Sequence, residues 1–293
     1  MTTPLIFCIH DKSGEYWPNL AVALKSVLTY ASSHLQIWVL YDKQLPAKAL
    51  TLLEAICAHY KASLTFAHIK LPAYLARSNY GAFSPASIFR LGIPKLFKDY
   101  ERVVYLDCDL IFHGLDITEL LAAAGNAALA AVADPYIGRP QKHREQLADL
   151  GLDPAHYFNS GVLVMRPKEL PQDLIQQFQA FAKQHPVVSH PDQDFLNVVF
   201  KGQWKPLEQR FNTQACAFDN TLFAPVSSYH GKVIHYAGKV KPLQGALAPG
   251  FVPFWMYAHA IPDAAQIFDR LPVAMLEPDP VRNDALLIRR LFP

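Results

Sequence analysis

Neither charge nor cysteine is concentrated anywhere along these 293 residues: charged side chains make up 18% of the chain, the formal net charge is +2, and the cysteines number four. A charge that small, carried on lysines and arginines that are scattered rather than striped, leaves no electrostatic footprint for nucleic acid. Cys8, Cys57, Cys108 and Cys216 form no C-x-x-C pair, which removes the usual zinc and redox motifs and reads as reduced thiols in a cytoplasmic protein. The longest apolar stretch, Leu120–Ala133, is broken by Gly125 and Asn126 and falls short of the ~20 residues that span a bilayer. Met1–His10 has no basic segment ahead of its short apolar run, so it reads as a strand rather than an export signal. The chain also lacks internal repeats and low-complexity tracts. With 51% apolar and 12% aromatic residues, it has the composition of a globular protein able to bury a large core.

What is present alternates. Leu5–His10 is a continuous apolar run suited to a buried strand, and Pro18–Ala31 follows with helical spacing of Leu20, Leu24, Val27 and Leu28. Gln36–Tyr41 reads as a strand, Pro46–Tyr60 as a helix opened by proline, and Leu64–Ile69 as a third strand. This order predicts a mostly parallel sheet covered by helices, an α/β fold of Rossmann-like type. Asn79–Pro85 reads as a loop, Ala86–Phe97 as a helix with an irregular middle, and Arg102–Leu106 as a strand ending at Asp107-Cys108-Asp109. Then come a helix at Ile117–Ala124, strands at Ala127–Ala133 and Gly161–Met165, helices at Lys168–Lys183 and Asp192–Phe200, and a short strand at Val233–His235. Beyond about Gly245, Pro249, Pro253, Pro262, Pro272, Pro278 and Pro280 punctuate aromatic segments, which predicts one main domain over 1–245 and a C-terminal extension over 246–293.

In open α/β sheets ligands gather beyond the carboxyl ends of the strands, where the polar motifs are expected to lie. Asp107 and Asp109 are one residue apart, so in an extended segment both carboxylates share a face while Cys108 points away. Two hard oxygen ligands suit a divalent cation; the bland alternative is a pair of aspartates capping the following helix. His235 adds an imidazole, Gly238 lets backbone approach a phosphate, and Lys241 supplies a cation to it. Asn159-Ser160-Gly161 reads as sugar-binding or as a turn, and Asp192-Gln193-Asp194 as sugar-binding or as a helix start. Arg90 reaches a diphosphate or solvent. His10, Asp11 and Tyr16 follow the first strand, where a nucleotide base rests in folds of this kind, with the Tyr16 ring offering a stacking face.

Taken together, Tyr105-Leu106-Asp107-Cys108-Asp109, Phe158-Asn159-Ser160-Gly161-Val162, Pro191-Asp192-Gln193-Asp194 and His235-Tyr236-Ala237-Gly238-Lys239-Val240-Lys241-Pro242 occur in the order found in glycosyltransferase family 8. The chain resembles members of that family from Leu5 to about Pro242. The resemblance implies a GT-A fold, retaining hexosyl transfer from a UDP-sugar, and Mn²⁺ or Mg²⁺ held by Asp107, Asp109 and His235. It further implies that Gln193 and Asp192 stand at the reacting sugar, Gln193 offering its carbonyl dipole to the anomeric carbon. Around the donor it places His10, Asp11, Tyr16, Arg90, Cys108, Asn159, Gly238 and Lys241. Asp134 falls where the family often places an acceptor-facing acid.

The segment from His10 to Tyr16 is longer than the family's usual signature there, so the uridine contacts rest on position rather than on motif. The family implies UDP-glucose or UDP-galactose as donor and a glycan or lipid-linked glycan as acceptor, as in bacterial lipopolysaccharide synthesis. Two other readings are a nucleotide-sugar binder without turnover, which needs no metal set, and a sugar nucleotidyltransferase, which calls for a glycine-rich loop after the first strand where only Gly14 is found. The run Leu286–Phe292 suits peripheral contact with an anionic membrane, although the extension carries one more acidic than basic residue and docking on the domain is the simpler expectation.

Overall fold

The computed structural model describes residues 3–70, 85–218, 226–238, 241–244 and 251–261. Its frame is a seven-stranded sheet in the order β3-β2-β1-β4-β7-β6-β8. The strands are β1 (Pro4–Ile9), β2 (Gln36–Tyr41), β3 (Ser63–His68), β4 (Val103–Leu106), β6 (Leu129–Ala133), β7 (Phe158–Met165) and β8 (Lys205–Leu207), with β5 (Leu110–His113) lying outside it. All pairs are parallel except those that β7 makes with β4 and β6. The fold is therefore a mixed, mostly parallel sheet.

Side chains alternate across β1 as a strand requires. Leu5, Phe7 and Ile9 join one apolar cluster, with the helices Trp17–Thr29 and Ala47–His59. Ile6 and Cys8 join a second, with Phe89, Phe178 and Phe195 on the opposite face. Burial on both faces explains why β1 is a continuous apolar run.

Several boundaries differ from the sequence reading, each for a local reason. The helix expected over Lys168–Lys183 begins at Leu174, after Pro171 and a short 3-10 turn at Pro167–Glu169. The strand expected from Gly161 starts at Phe158, so Asn159, Ser160 and Gly161 lie inside β7 rather than in a turn before it. Because β7 runs antiparallel to β4, its amino end, not its carboxyl end, sits beside the acidic pair. Asp107-Cys108-Asp109 is a turn between β4 and β5, not an extended segment. The following helix is capped by Asp116, whose Oδ1 accepts from the Thr118 N–H at 2.7 Å, so the acidic pair is released from that alternative.

Unforeseen elements include β5, the helix Gln141–Asp149, and a second, three-stranded sheet. In that sheet β5 pairs with β10 (Lys232–His235), which pairs with β9 (Thr213–Gln214). The loop at 79–84, the prolines 249, 262, 272, 278 and 280, and Leu286–Phe292 lie outside the described residues.

The described part of the C-terminal extension is built into the main core. Phe254, Trp255, Tyr257 and Ala258 of the helix Val252–His259 belong to the cluster that holds Tyr236 and Phe112. His113 of β5 anchors this helix: its Nδ1 lies 2.9 Å from the Tyr257 hydroxyl, with the His230 ring on another side. Burial lowers the His113 pKa, and nearby His230 lowers it further; burial also lowers that of His259. A histidine held neutral in the fold contributes stability that is complete above the unfolded value of ~6.5 and is lost as pH falls through the lower folded value. The thermal midpoint is therefore expected to drop as pH falls below roughly 6.5, with a shallower drop in His113→Gln. A variant slope identical to wild type would contradict this role for His113.

Candidate active site

Two strand ladders meet at the acidic pair. The Asp107 N–H donates to the Gly161 carbonyl at 2.8 Å, adding a rung to β4–β7, and the Tyr236 N–H donates to the Asp109 carbonyl at 2.9 Å, adding one to β5–β10. Asp107 is thus set opposite Gly161, and His235, the last residue of β10, falls beside Asp109. One ligand atom from each of Asp107, Asp109 and His235 lies within 4.8 Å of the others. Nε2 of His235 is 3.5 Å from Asp107 Oδ2 and 3.4 Å from Asp109 Oδ1. A Cβ at position 161 would stand 2.3 Å from His235 Cε1 and 2.8 Å from Asp107 Oδ2. Glycine is what lets the three groups converge.

Arg90 ties this cluster to the other motifs. It is buried at the 3-10 turn that interrupts the helical stretch 86–96. Its Nη1 donates to the Ser160 carbonyl and hydroxyl at 2.8 and 2.6 Å, and its Nη2 to Asp107 Oδ1 at 3.0 Å. Nε lies 3.4 Å from Asp192 Oδ2, an ion pair without hydrogen-bond alignment. The guanidinium stacks over Tyr105, whose hydroxyl donates to Asp107. Burial alone would lower the Arg90 pKa, but Asp107 first, with Asp192, outweighs it and keeps the cation charged.

A register shift between Ala131 and Val132 pulls β7 away from β6 at Ser160–Val162. Bulges of this kind recur beside functional sites because they release backbone groups from the ladder. Side chains take the released groups: the Ser160 N–H donates to Gln193 Oε1 at 3.0 Å, and the Gly161 N–H to Asn159 Oδ1 at 2.9 Å. Asn159 Nδ2 lies 3.2 Å from Asp134 Oδ2. Asp134, raised in the sequence reading as a candidate acceptor-facing acid, borders the same cavity.

The Gln193 carbonyl oxygen, expected to face the anomeric carbon, accepts from the Ser160 N–H at 3.0 Å, and the residue borders the cavity. Burial raises the Asp192 pKa despite Arg90. Asp194 sits apart: it accepts from the Tyr157 hydroxyl at 2.6 Å and from the His190 N–H at 3.0 Å, holding the start of its helix.

At the other edge, Lys241 donates to Asp109 and, at 2.7 Å, to the Tyr236 carbonyl. Burial pushes the Asp109 pKa up, but the Lys241 cation beside it outweighs this and holds the carboxyl well below its ordinary range. Gly238 has φ +99 with nothing within 4 Å of a notional Cβ, so it keeps an open, left-handed backbone position. His10 contacts Asp42 at 2.8 Å. Tyr16 stands close enough to the acids that burial, with Asp109, drives its pKa well above the usual phenol value.

The Asp11 and Cys108 side chains have partners of their own. The Asp11 carboxylate is consumed by the N–H groups of Glu15, Tyr16 and Trp17 at 3.0, 3.0 and 2.8 Å, capping the first helix, and it does not border the cavity. Cys108 borders the cavity, yet its thiol turns inward to the Cys8 carbonyl at 3.2 Å.

The remaining expected residues, His10, Tyr16, Arg90, Asp107, Asp109, Asn159, Asp192, Gln193, His235, Gly238 and Lys241, line one cavity of about 1510 Å³. Segments 136–146 and 178–190 contribute further lining, including His143, His190 and Phe181, none of which carried a sequence signal. Asn212 was also missed: it touches His235 Nδ1 at 2.9 Å from a segment with no motif of its own.

Residues 6–244 match the model of glycosyl transferase family 8. The chain belongs to this family. Its relatives include lipopolysaccharide 1,2-glucosyltransferase of Escherichia coli K12, 31% identical, with 55% of this chain and 49% of that protein covered. Lipopolysaccharide 1,3-galactosyltransferase of Salmonella typhimurium LT2 is 32% identical, with 54% and 49% covered. The chain thus spans about half the length of each of these relatives. The crystal structure of galactosyltransferase LgtC with donor and acceptor sugar analogues superposes with a TM-score of 0.74 at 22% identity, over 91% of this chain and all of that one, and shares the GT-A fold.

Removing one partner of a buried ion cluster leaves the others without compensation, at a cost of about 3–5 kcal/mol. Arg90→Met is expected to destabilise the protein by about that amount, and adding Asp192→Asn should recover part of it. A change below about 1 kcal/mol in urea unfolding, the size expected of an exposed pair, would contradict the buried hub.

Proposed function

We propose that this family 8 chain is a retaining hexosyltransferase that moves glucose or galactose from a UDP-sugar to a glycan or glycolipid acceptor. The observation that carries this reading is the convergence of Asp107, Asp109 and His235 in a cavity that Arg90 and Lys241 also line. Two carboxylates and an imidazole, with a glycine opposite in place of any larger residue, form a donor set suited to a divalent cation, and the imidazole favours Mn²⁺ over Mg²⁺. A cation bound there supplies positive charge against the charge that develops on departing UDP. Lys241 and Arg90 add fixed cations on either side of the same position, in a site partly shielded from water.

His10, Tyr16 and Gly238 flank the uridine diphosphate, with the Tyr16 ring available for stacking. The hexose then lies toward Asn159, Asp192 and Gln193, and the part of the cavity lined by 136–146 and 178–190 takes the acceptor. A volume of about 1510 Å³ exceeds the ~300–1,000 Å³ usual for one small ligand and leaves room for both substrates. The lipopolysaccharide relatives support a bacterial surface-glycan acceptor. A lipid-linked acceptor would bring the enzyme to the cytoplasmic face of a membrane as a peripheral protein; no described helix is long and apolar enough to cross one.

Retention by double displacement needs a nucleophile aimed at the anomeric carbon. Asp192 is held by Arg90 and Ser160, and the Gln193 oxygen by the Ser160 N–H. The arrangement favours attack of the acceptor hydroxyl from the face that UDP leaves. The bond from the anomeric carbon to phosphate oxygen breaks as the new glycosidic bond forms, and the hydroxyl proton passes to the departing oxygen.

Incubation with Mn²⁺ and each UDP-hexose in turn is expected to release UDP from one donor, and Asp109→Ala should lower that rate at least about a hundredfold with the fold retained. Near-normal turnover by the variant at saturating Mn²⁺ would sink the metal assignment. NMR of the initial product is expected to show an α-glycoside, whereas a β-linkage would mean inversion and remove the same-face mechanism.

A further inference from the structure

A backbone proton on β7 decides which nitrogen His235 turns toward the acidic pair. His235 Nδ1 and Asn212 Oδ1 are 2.9 Å apart. That contact alone fixes neither group, because amide ends are interchangeable by eye and either imidazole nitrogen can donate or accept. The next link removes the ambiguity. Asn212 Nδ2 lies 2.8 Å from Asn159 Oδ1, which also accepts from the Gly161 N–H at 2.9 Å.

A backbone N–H can only donate, so the Asn159 atom is the oxygen. The opposite end of the Asn159 side chain agrees, since its NH₂ faces the Asp134 carboxylate at 3.2 Å. The Asn212 group facing the Asn159 oxygen must then be its NH₂. The Asn212 oxygen faces His235, and in the neutral imidazole the proton resides on Nδ1. Nε2 keeps its lone pair, aimed at Asp107 and Asp109.

We propose that Asn212 is a positioning residue for the metal site: held by Asn159 and Gly161, it locks neutral His235 in the Nδ1–H tautomer and presents Nε2 as a ready ligand. The inference rests on the metal reading above. All the participating side chains except Asp107 are nearly inaccessible to solvent, with Asn212 1%, His235 3% and Asn159 6% exposed, so water is poorly placed to substitute. Outer partners of metal-bound histidines act in this way, by fixing the tautomer and ring plane. The Gly161 N–H has a task here, because its bond to Asn159 Oδ1 fixes the orientation of both amides.

The test has two parts. Long-range ¹H–¹⁵N correlation spectra of metal-free wild-type protein in alkaline solution, with His235 assigned by its loss in His235→Gln, are expected to show Nδ1–H and an unprotonated Nε2. Mn²⁺ titration in the presence of UDP, followed by electron paramagnetic resonance, is expected to show about 10–100-fold weaker binding in Asn212→Leu. Asn212→Asp, which still offers an acceptor to Nδ1, should stay closer to wild type. An Nε2–H tautomer in wild type, or unchanged Mn²⁺ affinity in Asn212→Leu, would overturn the positioning role alone. Failure of wild type to bind Mn²⁺ at all would overturn it together with the metal reading.

Discussion

One buried guanidinium holds the site together. Arg90 reaches Asp107 at the end of β4, Ser160 in β7 and Asp192 on the helix Pro191–Val199, so segments scattered over about a hundred residues share one cation. Burying such a charge is unfavourable unless it is paired and hydrogen-bonded. Two carboxylates, a carbonyl, a hydroxyl and the Tyr105 ring meet that requirement, and the spacing of Asp107 from Asp192 follows from it. Breaking the 86–96 helical stretch into a 3-10 turn at Arg90 is the local concession that aims the side chain inward.

The same accounting explains why acids accumulate here without tearing the fold open. Asp107 is matched by Arg90 and Asp109 by Lys241, while His235 stands between the two carboxylates. The cluster is thus near neutrality, with its acceptor atoms still directed into the cavity. Under the proposed function, a nucleotide diphosphate with its cation would bring charges of both signs to a place already supplied with partners for each. The side chains around the cluster are fixed from behind, Asn159 by Asp134, Gly161 and Asn212, and Gln193 by Ser160. Such support matters because a site held by packed, hydrogen-bonded neighbours loses little order when a ligand arrives.

Much of the frame was legible in the sequence because its signals are local. β1, β2 and their helices announce themselves by apolar runs and by 3.6-residue spacing, and the interrupted helix at 86–96 by Gly92 and Pro94. The acidic pair and His235 were legible as residue types suited to a cation. What escaped depends on contacts between distant segments. Nothing near Asn212 marks it; only the packing of 209–214 against β10 and β7 gives it a task. The direction of β7 and the existence of β5 are set by pairing rather than propensity. Asp11 was read as ligand-facing, and its engagement by the N–H groups of Glu15, Tyr16 and Trp17 is the helix-start role that short polar side chains commonly take.

The central claim is that Asp107, Asp109 and His235 hold the cation that binds the donor. Crystals grown with Mn²⁺ and UDP, measured for anomalous scattering of manganese, test it most directly. The account predicts a single strong peak among Asp107, Asp109 and His235 Nε2, in contact with the diphosphate. A diphosphate bound with no manganese at those three residues, or manganese bound elsewhere in the cavity, would contradict it.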